Sequence, residues 1–241
     1  LYGKLLTNIL ANVHGTLDKL VVAGRLTVLE KTDVTYVMTN TPLTAGSDLS
    51  DLVTFTDFSD TLTVASSAEE TKKSNMDVWM EIIVKKGARF RCYLTPNGDS
   101  YVDATGEGNL TFRMPPQGEM RMTGRITIDE GKMNYELPVI PLRTFNFAGG
   151  SSIDFTGNVM NPTLNITATE RVKTIVTEDD RQRAVTFDAG VKISRTVEDM
   201  GLEFIIDAPE DLEIKNQLTA MSKEERGKAA VALLATGMYI T

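Results

Sequence analysis

Apolar residues fall on every second position through most of this chain, and no other feature restricts its fold as tightly. Val78, Met80, Ile82 and Val84 keep the period. So do Phe90, Cys92 and Leu94, then Leu110, Phe112 and Met114, then Leu202, Phe204 and Ile206. Side chains of a strand point alternately to its two sides, whereas a helix would scatter a period of two around its circumference. The expected class is therefore all-β, built from strands with one apolar and one polar side.

Residues 1–40 read as a meander of strands, with a turn at Gly15 and a break at Glu30–Asp33. Residues 41–76 are mostly polar and are expected as a loop insertion, with Val53 and Phe55 in a short strand inside it. Later turns are expected at Lys85-Lys86-Gly87, Gly106-Glu107-Gly108, Pro115-Pro116, Asp129-Glu130-Gly131 and Thr177–Gln182. The best-marked corner is Gly149–Ala168. Ile153, Phe155 and Gly157 share one side of its first run, and Leu164, Ile166 and Ala168 share one side of its second. Asn158, Asn161 and Pro162 supply the turn. Leu212 and Ile214 read as the last alternating pair. Ser222 to Glu225 then forms a capping box ahead of an Ala/Leu-rich run, so a terminal helix is expected over 222–236, closing at Gly237. The whole of 1–241 reads as a single β-rich domain. It opens inside a strand-like run with no signal peptide, as a stretch of a longer chain would.

One pattern recurs at a distance of 100 residues. Leu20-x-Val22-x-Gly24-Arg25-Leu26-Thr27-Val28 is echoed by Met120-x-Met122-x-Gly124-Arg125-Ile126-Thr127-Ile128, and a tyrosine follows each copy, Tyr36 and Tyr135. Repeated use of one strand unit is characteristic of stacked β architectures.

Composition narrows the chemistry. A net charge of -8 disfavours nucleic acid, because no basic excess is available to displace counterions from phosphates. No apolar run approaches the roughly 20 residues that span a bilayer. With one histidine, His14, and one cysteine, Cys92, no multi-His or multi-Cys metal site can be assembled. His14 shares a strand side with Lys4, Asn8 and Asn12 and reads as an exposed polar position, while Cys92 reads as a small core residue. The carboxylate clusters Glu69-Glu70, Asp179-Asp180 and Asp207/Glu210/Asp211 read as solvated turns. Calcium at 207–213 is an alternative on oxygen count, without EF-hand spacing. No catalytic residue, metal or cofactor is expected, and the chain reads as a non-enzyme. Half-apolar strands have two packing solutions. Two sheets can close on each other as a sandwich, or one long sheet can curl with its apolar side lining a groove.

The residues Gly149-x-x-x-Ile153-x-Phe155-x-Gly157-Asn158-x-x-Asn161-Pro162-x-Leu164-x-Ile166-x-Ala168 resemble the signature of the TamB C-terminal domain. The two Gly-Arg units, the strands from Asp77 to Met114 and the helix at Leu218–Gly237 resemble the same family, so the likeness covers most of the chain. The resemblance implies an elongated, curled, antiparallel-rich sheet with an apolar inner side, in the periplasm of a Gram-negative envelope, within a parent chain anchored in the inner membrane. It implies work beside an outer-membrane barrel insertase of the TamA type, and shelter for phospholipid acyl chains or unfolded outer-membrane protein strands. The groove-lining candidates under this reading are Val22, Leu26, Val28, Ile82, Met120, Met122, Ile126, Ile128, Ile153, Phe155, Leu164 and Ile166. The competing reading is a closed all-β protein-interaction module that binds no lipid.

Overall fold

The computed structural model describes residues 2–16, 19–37, 75–95, 97–137, 140–178 and 181–240. Its strands are β1 (Tyr2–Lys4), β2 (Thr7–Thr16), β3 (Lys19–Val28), β4 (Asp33–Val37), β5 (Met76–Tyr93), β6 (Tyr101–Met114), β7 (Arg121–Leu137), β8 (Ile140–Phe147), β9 (Ser152–Asn158), β10 (Thr163–Glu178), β11 (Arg181–Thr196) and β12 (Gly201–Asp207). Two helices follow, α1 (Leu212–Ala220) and α2 (Lys223–Thr236). The expected all-β class with a C-terminal helix is the observed one, and all 12 strands join in one sheet. The order is β1-β4-β5-β6-β7-β8-β10-β11-β12. β2 and β3 are added beside β5, and β9 lies between β7 and β10. Neighbours are antiparallel except that β3 and β4 both run parallel to β5. The predicted loop is outside the described residues as far as Ser74, as are Val53 and Phe55; Met76, placed by prediction in that loop, begins β5.

Three predicted turns are strand interior instead. β5 runs through Lys85-Lys86-Gly87, which bulge out opposite the single residue Glu107. β7 runs through Asp129, its one extra residue between the pairs Ile128↔Gly106 and Glu130↔Thr105. Gly106-Glu107-Gly108 lies inside β6. The physical reason is common to all three. A bulge inserts residues on one strand and shifts the phase of its alternation without ending the pairing. The apolar positions of β7 accordingly move from 126 and 128 to 131 and 133.

Leu212 and Ile214 are not strand residues; they open α1. Asp211 caps that helix, accepting from the Ile214 amide at 3.1 Å, and Ile214 and Leu218 face the core one turn apart. Asp211 and Asp207 of the acidic cluster are thereby engaged in a cap and in an ion pair with Lys215. Helix α2 starts at a complete capping box, Ser222 Oγ to the Glu225 amide and Glu225 Oε2 to the Ser222 amide, and ends at Gly237 with φ 75°.

The helices pack against β8, β11 and β12. Ile214, Leu218, Ala230, Leu233 and Leu234 close over Ile140, Phe145, Val185, Phe187 and Val191, none more than 2% exposed. Burial of each large aliphatic side chain contributes about 1.5–3 kcal/mol. Arg143 threads this core: Nη1 donates to Glu170 Oε1 at 3.1 Å and Nη2 to the Leu234 carbonyl at 2.8 Å, tying α2 to β8 and β10.

Candidate functional site: the part of the apolar side not covered by the helices

Residues directly opposite each other on neighbouring strands project to the same side of a sheet. The register therefore assembles rows across the strands. One row runs Ile9, Leu26, Ile82, Leu110, Gly124, Phe155. A second runs Thr7, Val28, Val84, Gly108, Ile126, Ile153, Leu164. A third runs Ala11, Gly24, Met80, Phe112, Met122, Gly157. Eleven of the twelve candidate side chains lie on this side, Val22 through its pair with Val78, Ile128 opposite Gly106, and Ile166 beside Leu164. Met120 stands one residue before β7, outside the ladder, and is 54% exposed. The alternation also contained positions that the candidate set omitted, Val78, Met80, Val84, Leu110 and Phe112. Only the pairing of strands places them among the others.

Exposure along this side is graded. Val28, Val84, Leu110 and Ile128 are 6–7% exposed, whereas Val13 and Ile9 at the β2 edge are 56% and 65% exposed. Gly106 and Gly108 make the inner positions close. A Cβ at Gly108 would stand 2.9 Å from Ile126 Cδ1, so the absent side chain lets Ile126 lean across β6 toward Val84.

The opposite side is polar at the same strands. Arg25 of the first Gly-Arg unit pairs with Glu81 directly across at 2.7 Å, and Arg125 of the second pairs with Asp154 directly across. The echo in the sequence thus places an arginine–carboxylate pair on this side twice. Arg113 lies 5.0 Å over the Trp79 ring. Farther along, Arg89 and Arg91 both donate to Asp103, which is 6% exposed; these bonds hold its carboxyl down at about 2, against burial that opposes the shift. His14 is exposed on β2. Cys92 is half-buried, and desolvation pushes its thiol up, away from the reactive thiolate.

Among the described residues no three His, Cys, Asp or Glu side chains gather in a metal-holding arrangement. No described helix is long and apolar enough to cross a membrane. The rows of this side offer apolar area and shape. Comparison with curated proteins finds no match. The family model of the TamB C-terminal domain matches residues 7–238, nearly the whole chain, and the chain belongs to that family.

Proposed function

We propose that this chain shelters the acyl chains of phospholipids on the part of the sheet's apolar side that the helices leave uncovered, by the hydrophobic effect and without a chemical step. The TamB C-terminal domain family has a role in envelope and outer-membrane assembly, alongside the TamA-type insertase system. The carrying observation is the charge-free row from Val28 through Val84, Ile126 and Ile153 to Leu164. Each methylene removed from water there contributes about 0.8 kcal/mol. The same row favours hydrocarbon over polypeptide. A peptide laid on it would bring amides that need partners, and the backbone groups of β5, β6 and β7 are already engaged in their ladders. A polypeptide strand is better matched to the β2 edge, whose only ladder among the described residues is with β3. The periplasm is the compartment in which such a surface would meet both lipid and client.

One observation favours the closed interaction module: Val28, Val84 and Leu110 are as enclosed as ordinary core residues. A photocrosslinking residue at Ile126, irradiated with vesicles of phosphatidylethanolamine and phosphatidylglycerol, separates the readings. Lipid adducts are expected. Adducts to protein alone would overturn the acyl-chain reading. Ile82→Asp and Ile126→Asp are expected to abolish binding of a fluorescent phospholipid while the far-UV spectrum is kept. Unfolding of both would favour the closed module, since an unpaired charge would then sit in a sealed core.

A further inference from the structure

The interruptions of successive strands stand at one level. Leu5-Leu6 separates β1 from β2, Leu29–Thr32 separates β3 from β4, and Ala148–Ser151 separates β8 from β9. Between them lie the bulges at Lys85–Gly87 of β5 and at Asp129 of β7. Hydrogen bonds and one ion pair link these points into a line. The Leu29 amide donates to the Leu6 carbonyl at 2.9 Å, and the Arg89 amide to the Thr32 carbonyl at 2.9 Å. Lys86 Nζ reaches Asp129 Oδ1 at 4.0 Å. The Ile128 amide donates to the Ser151 carbonyl at 2.9 Å, and Ser151 Oγ accepts from the Thr167 amide at 3.2 Å.

We infer that this line is a hinge. About it, the leaf carrying the uncovered part of the apolar side (β2, β3, β9 and the adjoining halves of β5, β6 and β7) swings against the leaf capped by the helices. Ladder bonds give a sheet its stiffness; at this level bulges loosen them in β5 and β7, and breaks end β1, β3 and β8, while β6 runs through. The seam is polar: Thr32 and Ser151 are 1% and 3% exposed, and the buried Asp129 Oδ2 has no hydrogen-bond partner among the described residues. Polar contacts of this kind exchange more readily than interlocked apolar side chains. The buried apolar residues form two clusters that both reach across the line: Val28 and Val84 with Ala88 beyond the bulge, and the large cluster under the helices with Ile128 and Ile166. A hollow of about 440 Å³ beside the line, lined by Lys85, Glu107, Asn109, Arg125 and Thr127 among others, gives the leaf room to bend. β10 and β11 pass the level in unbroken register from Thr163 to Glu178 and form the fixed side of the movement, to which β9 joins the moving leaf through its pairs at Ser152–Asp154. Swinging changes how widely the apolar rows are exposed. The inference concerns the motion and stands whether or not acyl chains are the occupant.

The test uses spin labels in a Cys92→Ser background. Labels at Thr123→Cys and Lys173→Cys report across the line; labels at Lys132→Cys and Lys173→Cys report within the capped leaf. The distance distribution across the line is expected to be at least twofold broader. Equal widths would overturn the hinge. Hydrogen exchange of the unmodified chain gives a second reading. The amides of Leu29, Arg89 and Ile128 are expected to exchange at least tenfold faster than those of the β10–β11 ladder, and equal protection would likewise overturn it.

Discussion

Arg195 stands opposite Leu164 in the β10–β11 ladder, at the end of the longest apolar row, yet its guanidinium does not join that row. Its φ is 68°, a left-handed value, and its Nε lies where a Cβ at Gly201 would be only 2.8 Å away, beside Ser194 Oγ. Gly201 pairs with Ser194, so this position belongs to the polar side. Backbone strain at Arg195 and an absent side chain at Gly201 together turn a charge off the apolar side. Such strain costs on the order of 1–3 kcal/mol. Arg195→Gly is therefore expected to change stability in urea by less than about 1 kcal/mol, whereas a β-branched Arg195→Val should lose about 2 kcal/mol or more. A large loss in the glycine variant would mean that the guanidinium itself holds the structure.

Acid should weaken the fold through Asp103. Its folded pKa is depressed from 3.8 to about 2. The stabilisation is complete above the unfolded value and is lost as pH falls from about 4 toward 2. Asp103→Asn is expected to cost about 2 kcal/mol at pH 7. That cost should shrink as pH falls through about 2 and vanish below it, as measured by denaturant midpoints across the range. A pH-independent cost would assign the loss to packing.

The two parts of the apolar side should respond differently to truncation. Phe187 is fully buried and stacks on Tyr239 at 4.7 Å. Phe187→Ala should cost about 3–5 kcal/mol. Ile82, half-buried beside Val84, should cost less on Ile82→Ala, about 1–2 kcal/mol, because part of its surface meets solvent already. Equal losses at the two sites would show that the uncovered part is as tightly filled as the helix-covered core.

Ser222→Ala removes the acceptor that begins α2 and should cost about 1 kcal/mol. The loss should be confined to that helix: exchange of the amides around Glu225 should quicken while the β10–β11 ladder keeps its protection. Uniform loosening would mean that α2 and the sheet unfold as one unit.

The strands could be read from the sequence because alternation is a local property, and so could α2, whose cap residues are contiguous. Register could not. That Leu26, Ile82 and Leu110 stand in one row depends on which strands become neighbours, and nothing near Leu26 records that β3 will lie parallel to β5. The bulges are hidden in the sequence for a related reason. Lys85-Lys86-Gly87 has turn chemistry, and only the ladder on β6 shows that the chain continues straight past it. Helix α1 did carry a signal, Asp211 ahead of Ile214 and Leu218 at a spacing of four. The pair Leu212 and Ile214, two apart, imitated a strand instead.

The parallel pairing of β3 with β5 has a consequence for the order of assembly. Arg25 and Glu81 meet across 56 positions, whereas β10 and β11 are joined by a hairpin. Closing a loop of that length loses more chain entropy than closing a tight turn, and the loss must precede any gain from the contacts it allows. The segment from β5 to α2 can assemble by successive short closures. β1 to β4 must find β5 afterwards. Until they dock, the long β5 presents a bare edge to other chains, and the period in which this molecule is prone to self-association ends when Leu26 settles beside Ile82.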